Sequence, residues 1–141
     1  MATIKHNEWL DSMLGSPTHS AIDLDTDNID ASLLDQTDAG TILASFVDYD
    51  EVDAATVLAT GNLPSVSSIT DGVVTLSGAL TFSSVASGDE IDYLTVWKNS
   101  GTPATSPLII TWDSASTGIP VTPNGGDIVA TWGSNIFVTL A

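Results

Sequence analysis

The side chains best suited to chemistry are two acidic clusters and two histidines, all within the first 53 residues. Asp23, Asp25, Asp27 and Asp30 follow the pattern D-x-D-x-D-x-x-D. Alternating carboxylates are one way for a loop to gather oxygens around a hard cation such as calcium. The helix–loop–helix calcium loop also needs Gly at its sixth position and Glu at its twelfth. Counted from Asp23, those positions hold Asn28 and Leu34. The segment therefore reads as a solvated acidic loop, and no metal is assigned; these four aspartates are the candidate ligands should an ion bind. Asp48, Asp50, Glu51 and Asp53 form the second cluster. Paired carboxylates divide into acid and base in glycosidases when their surroundings differ and their separation is fixed. Nothing in the sequence fixes such a separation.

Nucleophilic catalysis has no better footing. His6 and His19 are the only histidines, and no serine lies in a G-x-S-x-G elbow. Gly125-Gly126 belongs to neither a P-loop nor a dinucleotide fingerprint and supplies turn geometry instead. No catalytic residue and no cofactor is assigned, and the chain reads as a non-enzyme. The four tryptophans, Trp9, Trp97, Trp112 and Trp132, could stack sugars if displayed in a row. The last three each lie at or near the end of an apolar strand, where core or subunit contact is the commoner use. With Leu10 and Met13, the tryptophans are the candidates for subunit or shell contact.

Charge narrows the partners. Eighteen acids face two bases, Lys5 and Lys98, for a formal net charge of -16. Phosphate backbones are bound through Lys and Arg clusters, so nucleic acid is argued against. Anionic membrane surfaces are argued against on the same ground. Strong negative charge keeps copies soluble and apart until a specific surface is offered. There is no cysteine, hence no disulfide and no thiolate metal site. No apolar run approaches the roughly 18 residues of a membrane span. Glu8 and Asp11 interrupt what would be the apolar core of a signal peptide, so synthesis and assembly inside a cell are expected.

The elements that must position these residues follow from periodicity. Ile4, Trp9, Leu10, Met13 and Leu14 share one stripe of a short helix over Ile4–Leu14, stopped by Gly15. Ile29, Ala31 and Leu33 alternate with Asp30 and Ser32, which predicts a half-exposed strand. Residues 41–59 predict a helical turn or two. From about residue 63 the pattern is β. Asp71-Gly72 between Val66–Thr70 and Val73–Leu76 signals a two-residue hairpin. Leu80 and Phe82 alternate in a further strand. In Glu90–Lys98, Ile91, Tyr93 and Trp97 fall on one face and Leu94 and Val96 on the other, as in a central strand covered on both sides. Leu108–Trp112, Ile128–Trp132 and Ile136–Leu140 complete the set, separated by Gly-, Pro- and Asn-containing loops. The expected fold is mainly β: one domain over 1–141, a β-sandwich, jelly roll or small barrel with a short N-terminal helix. Residues 1–25 are a candidate arm, and 63–141 the most plainly β region.

The segment VWKNSGTPATSPLIITWDSASTGIPVTPNGGDIVATW, residues 96–132, resembles small structural proteins encoded among the virion genes of tailed bacteriophages. The short opening helix and the Asp-rich turn and strand over Ile22–Leu34 fit that likeness; residues 40–65 are not distinctive. The resemblance implies a virion protein. A capsid decoration (cement) protein fits its size and charge: a homotrimer on the outer surface of the head, partnered by the major capsid protein and made in the host cytoplasm. The alternatives are a tail or head–tail connector protein and a carbohydrate-binding module on the virion surface.

Overall fold

The structure, a computed structural model, describes residues 3–15, 21–35, 42–71, 73–113 and 119–132. Among them the chain runs through β1 (Thr3–Lys5), α1 (Asn7–Met13), β2 (Ile29–Leu34) and two 3₁₀ turns (Tyr49–Glu51 and Ala54–Thr56). It continues through β3 (Val57–Asn62), β4 (Val66–Thr70), β5 (Val73–Leu76), β6 (Leu80–Phe82) and β7 (Tyr93–Lys98). A third 3₁₀ turn (Pro103–Thr105), β8 (Leu108–Trp112) and β9 (Ile128–Ala130) follow. The fold is mainly β, with one short helix, in a sandwich-like arrangement.

The main sheet has the order β1-β8-β7-β2-β3, with every neighbouring pair antiparallel. β7, expected to be central, occupies the middle of this sheet and is buried along Tyr93–Trp97. One face carries Ile29, Ala31, Leu33, Leu94, Val96 and Ile110. Against it pack Trp9 of α1, Val74 of β5, and Leu80 and Phe82 of β6. The β4–β5 and β6–β9 pairs thus contribute to the layer over this face. The other face carries Leu34, Tyr93, Trp97 and Leu108, covered by Ile42, Phe46, Tyr49 and Val52 from the 42–57 segment. Full burial of a Leu or Ile side chain is worth about 1.5–3 kcal/mol, and both layers draw on it.

Two bulges make this double burial possible. Val96 pairs with Ile110 but Trp97 pairs with Leu108, so Ile109 is the extra residue on β8. In a regular strand Leu108 and Ile110 would share a face. The insertion turns Leu108 toward Trp97 and leaves Ile110 beside Val96. Likewise Leu33 pairs with Ala59 and Leu34 with Val57, so Leu58 is the extra residue on β3, and Val57 and Ala59 serve opposite layers.

The expected hairpin forms with the expected bounds: Thr70 pairs with Val73, and Asp71 takes the positive φ (53°) that the tight turn needs. Gly15, at φ +80°, ends α1 as expected. Other expectations need correction. The helix begins at Asn7, because Thr3, Ile4 and Lys5 pair instead with Trp112, Thr111 and Ile110. The segment read as an arm over 1–25 thus starts as an edge strand, and His6 and Trp9 behind it are buried. β2 is buried along its whole length, because β7, β3 and both layers enclose it. Residues 41–59 do contain two helical turns, but β3 begins at Val57 within them. Its half-exposed residues and Gly61 hid it from propensity. Ile91 lies just before β7, bridged to Val121, and joins the first face rather than that of Tyr93 and Trp97. β9 stops at Ala130, and the strand expected at Ile136–Leu140 lies outside the described residues.

Burying β2 on both faces requires its polar residues to be matched. Ser32, fully buried, is the hub of a small polar cluster. Trp97 Nε1–H donates to its Oγ at 3.1 Å, and the hydroxyls of Tyr49 and Thr60 each lie 2.9 Å away. A serine hydroxyl has one proton and two acceptor sites, so three bonds saturate it. Asp30 is held by Asn62 Nδ2 at 3.0 Å and Asn99 Nδ2 at 2.7 Å, one on each carboxylate oxygen.

Ser32→Ala should leave the Trp97 indole N–H buried without its acceptor and cost about 1–3 kcal/mol, read as a lower urea midpoint at unchanged m-value. Ser67→Ala, on the exposed hairpin, should stay within about 0.5 kcal/mol of the parent protein. Equal shifts for the two variants would refute the central role given to Ser32.

Candidate interaction surface

His6 is the first residue whose chemistry the fold decides. It follows β1, is fully buried, and lies between β8 and the 42–47 segment. Its Nδ1 is 3.2 Å from the carbonyl oxygen of Phe46, which can only accept, so Nδ1 carries the proton. Nε2 is then the acceptor, and the Thr111 hydroxyl donates to it at 2.9 Å. With that proton committed, Thr95 donates to Thr111 Oγ1 at 2.7 Å. The chain Thr95→Thr111→His6→Phe46 is polarised in one direction. Burial pushes the imidazole down to about 4, against smaller opposing effects of the Phe46 carbonyl, Glu51 and the Leu43 carbonyl. A second proton would put a charge in the core and face a donor with a donor. His6 is thus a neutral tie between strand and loop, enclosed away from any substrate.

The first acidic cluster is also put to structural use. Asp27 accepts from the Asp23 backbone N–H at 2.7 Å and pairs with Lys98 Nζ at 2.9 Å. Lys98 also donates to the Ala21 carbonyl. Asp23 accepts from the Asp25 N–H, and this backbone bond, with the Thr26 hydroxyl, holds its carboxyl below the usual aspartate range. Asp30 is turned inward onto Asn62 and Asn99. Asp23 and Asp27 therefore shape a turn, and Asp30 locks the end of β2. Among the described residues no group of three or more His, Cys, Asp or Glu is arranged to hold a metal ion.

The second cluster lines a groove. Tyr49, Val52 and Val57 supply apolar surface, Ala54 and Pro103 stand beside them, and Asp50 and Asp53 add charge. The opening encloses about 500 Å³. Its aromatic element is fixed: the Tyr49 ring stacks on Trp97 with centroids 3.9 Å apart and planes 9° from parallel. Tyr49 Oη is tied to Ser32, and its backbone N–H donates to the Ser106 carbonyl at 2.8 Å. The carboxylates divide by duty. Glu51 accepts from the backbone N–H groups of Val47 and Asp48, which closes the first 3₁₀ turn. Asp53 caps the second turn through Ala55 N–H at 2.9 Å. Asp50 is exposed.

The contact candidates separate by depth. Trp9 and Trp97 are buried in opposite layers, and Leu10 is half-buried against the first. Trp112 and Trp132 are partly buried, packed against each other with ring centroids 5.5 Å apart. Met13 stands 56 % exposed, and its neighbour Leu14 83 %. Sequence reasoning missed the groove, because Pro103 reaches Tyr49 only through the 99–107 loop. The one local hint was an aromatic residue amid the acids of DYDEVD.

No protein-family model matches the chain, and no curated protein matches it. Among the described residues no helix is long and apolar enough to cross a membrane.

Because the folded-state value of His6 lies below its ordinary one, the unfolded chain binds more protons between pH 6.5 and 4. Stability should be flat above pH 6.5 and fall as pH drops below it, by about 2 kcal/mol between pH 7 and pH 5. Urea titrations at these pH values should show the fall in the parent and in His19→Gln, and a reduced fall in His6→Gln.

Proposed function

We propose that this chain is a structural protein of a tailed-phage particle, and that it decorates the outer surface of the head shell as a homotrimer bridging major capsid protein subunits. It works by fitting a surface, with no bond made or broken. One observation carries the reading. Both faces of the main sheet are already covered within the chain, yet Met13 and Leu14 remain exposed together at the end of α1, and Ile69 and Val129 stand exposed elsewhere. Apolar side chains left out of a completed core suit contact with another surface. The resemblance of residues 96–132 to virion proteins, the mainly β fold and the charge of -16 all support the same reading.

The physical mechanism needs no strong single contact. Three linked sites on a trimer raise the effective concentration of each next contact. Binding the assembled shell but not its dissociated pieces stabilises the shell by mass action. The exposed end of α1 is the contact assigned to shell or neighbouring copy. Removing the whole N-terminal segment would be a poor test, since β1, His6 and Trp9 belong to the folded core.

Met13→Glu/Leu14→Glu should lower the protein's copy number on purified particles at least tenfold while leaving its melting temperature within about 2 °C, since surface changes away from the core cost little. Parent copy numbers in the hundreds would fit decoration. About six or twelve copies would instead fix a closed connector ring and displace the proposal. Absence from purified virions would end it.

A further inference from the structure

We propose that the groove formed by Tyr49, Val52, Ala54, Val57 and Pro103 is a docking site for a basic chain segment of a partner protein, with an aliphatic or proline anchor beside a Lys or Arg. The floor is apolar and held rigid from behind. Tyr49 is fixed by the Trp97 stack, by Ser32 and by its backbone bond to Ser106. Val52 is buried, and Val57 begins β3. A pre-formed floor spares the ordering cost that weakens docking on mobile loops.

Charge selects the occupant. Asp50 is exposed in the lining, and Asp53 contributes a second carboxylate. The chain as a whole carries -16. A cationic segment is drawn in at long range and meets opposite charge beside an apolar seat, whereas an acidic or neutral one gains no steering. A second copy of this chain fits poorly. Its only bases are Lys5 and Lys98. Lys98 is already held by Asp27 and the Ala21 carbonyl, and Lys5 is likewise engaged. The positive charge has to come from another protein. As the place where a shell subunit docks, the groove rests on the decoration reading; the experiment needs no particle, so the two can fail separately.

A random ten-residue peptide display library is panned on the full-length chain, and enriched peptides are titrated against the parent, Asp50→Lys and Ala54→Lys. Both substituted positions are exposed, and the capping Glu51 and Asp53 are untouched. Enriched peptides should pair Lys or Arg with Leu, Val or Pro. They should shift the amide resonances of Tyr49, Val52 and Val57, and bind each variant at least tenfold more weakly. Enrichment without basic residues, equal binding to parent and Asp50→Lys, or shifts confined to other regions would overturn the inference. So would an oligosaccharide panel that moves these amides where the peptides do not.

Discussion

The structure depends on one constraint: β7 is apolar on both faces, so the sheet it centres must be covered twice. A strand reading Tyr93-Leu94-Thr95-Val96-Trp97 cannot face water on either side without a large hydrophobic penalty. The chain meets this with two unequal layers. The first is itself mostly β, with α1 at its side. The second comes from residues 42–56, where the described elements are two short 3₁₀ turns, and it contributes Ile42, Phe46, Tyr49 and Val52. Short 3₁₀ turns suit that task, because they bring apolar residues inward while Glu51 and Asp53 satisfy the backbone groups their ends leave open.

Enclosing a sheet on both sides also encloses polar atoms, and the interior polar chemistry follows from that. Thr95 and Thr111 face each other across β7 and β8. Their hydroxyls need a terminal acceptor, and His6 Nε2 supplies it while Nδ1–H donates to the Phe46 carbonyl. On the neighbouring strand β2, Ser32 accepts from Trp97 and shares hydroxyl bonds with Tyr49 and Thr60. Each network joins the sheet to the 42–57 cover: one through Phe46, the other through Tyr49. The polar ties also fix register, since a one-residue slip of β2 would turn Ser32 away from Trp97 and Asp30 away from Asn62 and Asn99. His6, one of the side chains that looked most chemical in the sequence, is therefore used to hold the second layer in place.

Where local pattern and burial agreed, the sequence was readable. The Asp71-Gly72 turn, the central place of β7 and the glycine stop of α1 each rest on a local rule that tertiary contacts reinforce. The misses share a cause. Ile4 fits a helical stripe, and only its partner Thr111, over a hundred residues away, makes it a strand residue. Asp30 looks like a water-facing residue until Asn62 and Asn99 are brought to it. β3 has no strong pattern of its own and exists because β2 offers it an edge. Of the candidate surface, the exposed Met13 lay in the sequence reading. The groove did not, because its lining comes from two segments some fifty residues apart joined through the Tyr49 and Ser106 backbones.

The charge connects this interior to what the outside can do. Several of the 18 acids carry structural duties: Asp23, Asp27 and Asp30 around β2, Glu51 and Asp53 at the turns, and Asp127 on the Ser84 N–H. Each duty is short-ranged and uses a hydrogen bond, which is weakly screened. The excess of negative charge over two lysines is long-ranged and repels other copies, an effect that salt screens over about 8 Å at physiological strength. A chain with this balance resists meeting itself through like-charged surfaces. It can assemble only where apolar contact outweighs the repulsion or where a partner brings positive charge. In the proposed reading, the exposed end of α1 would offer the first kind of contact and the groove beside Asp50 the second, so that copies and a different protein would be met at separate places.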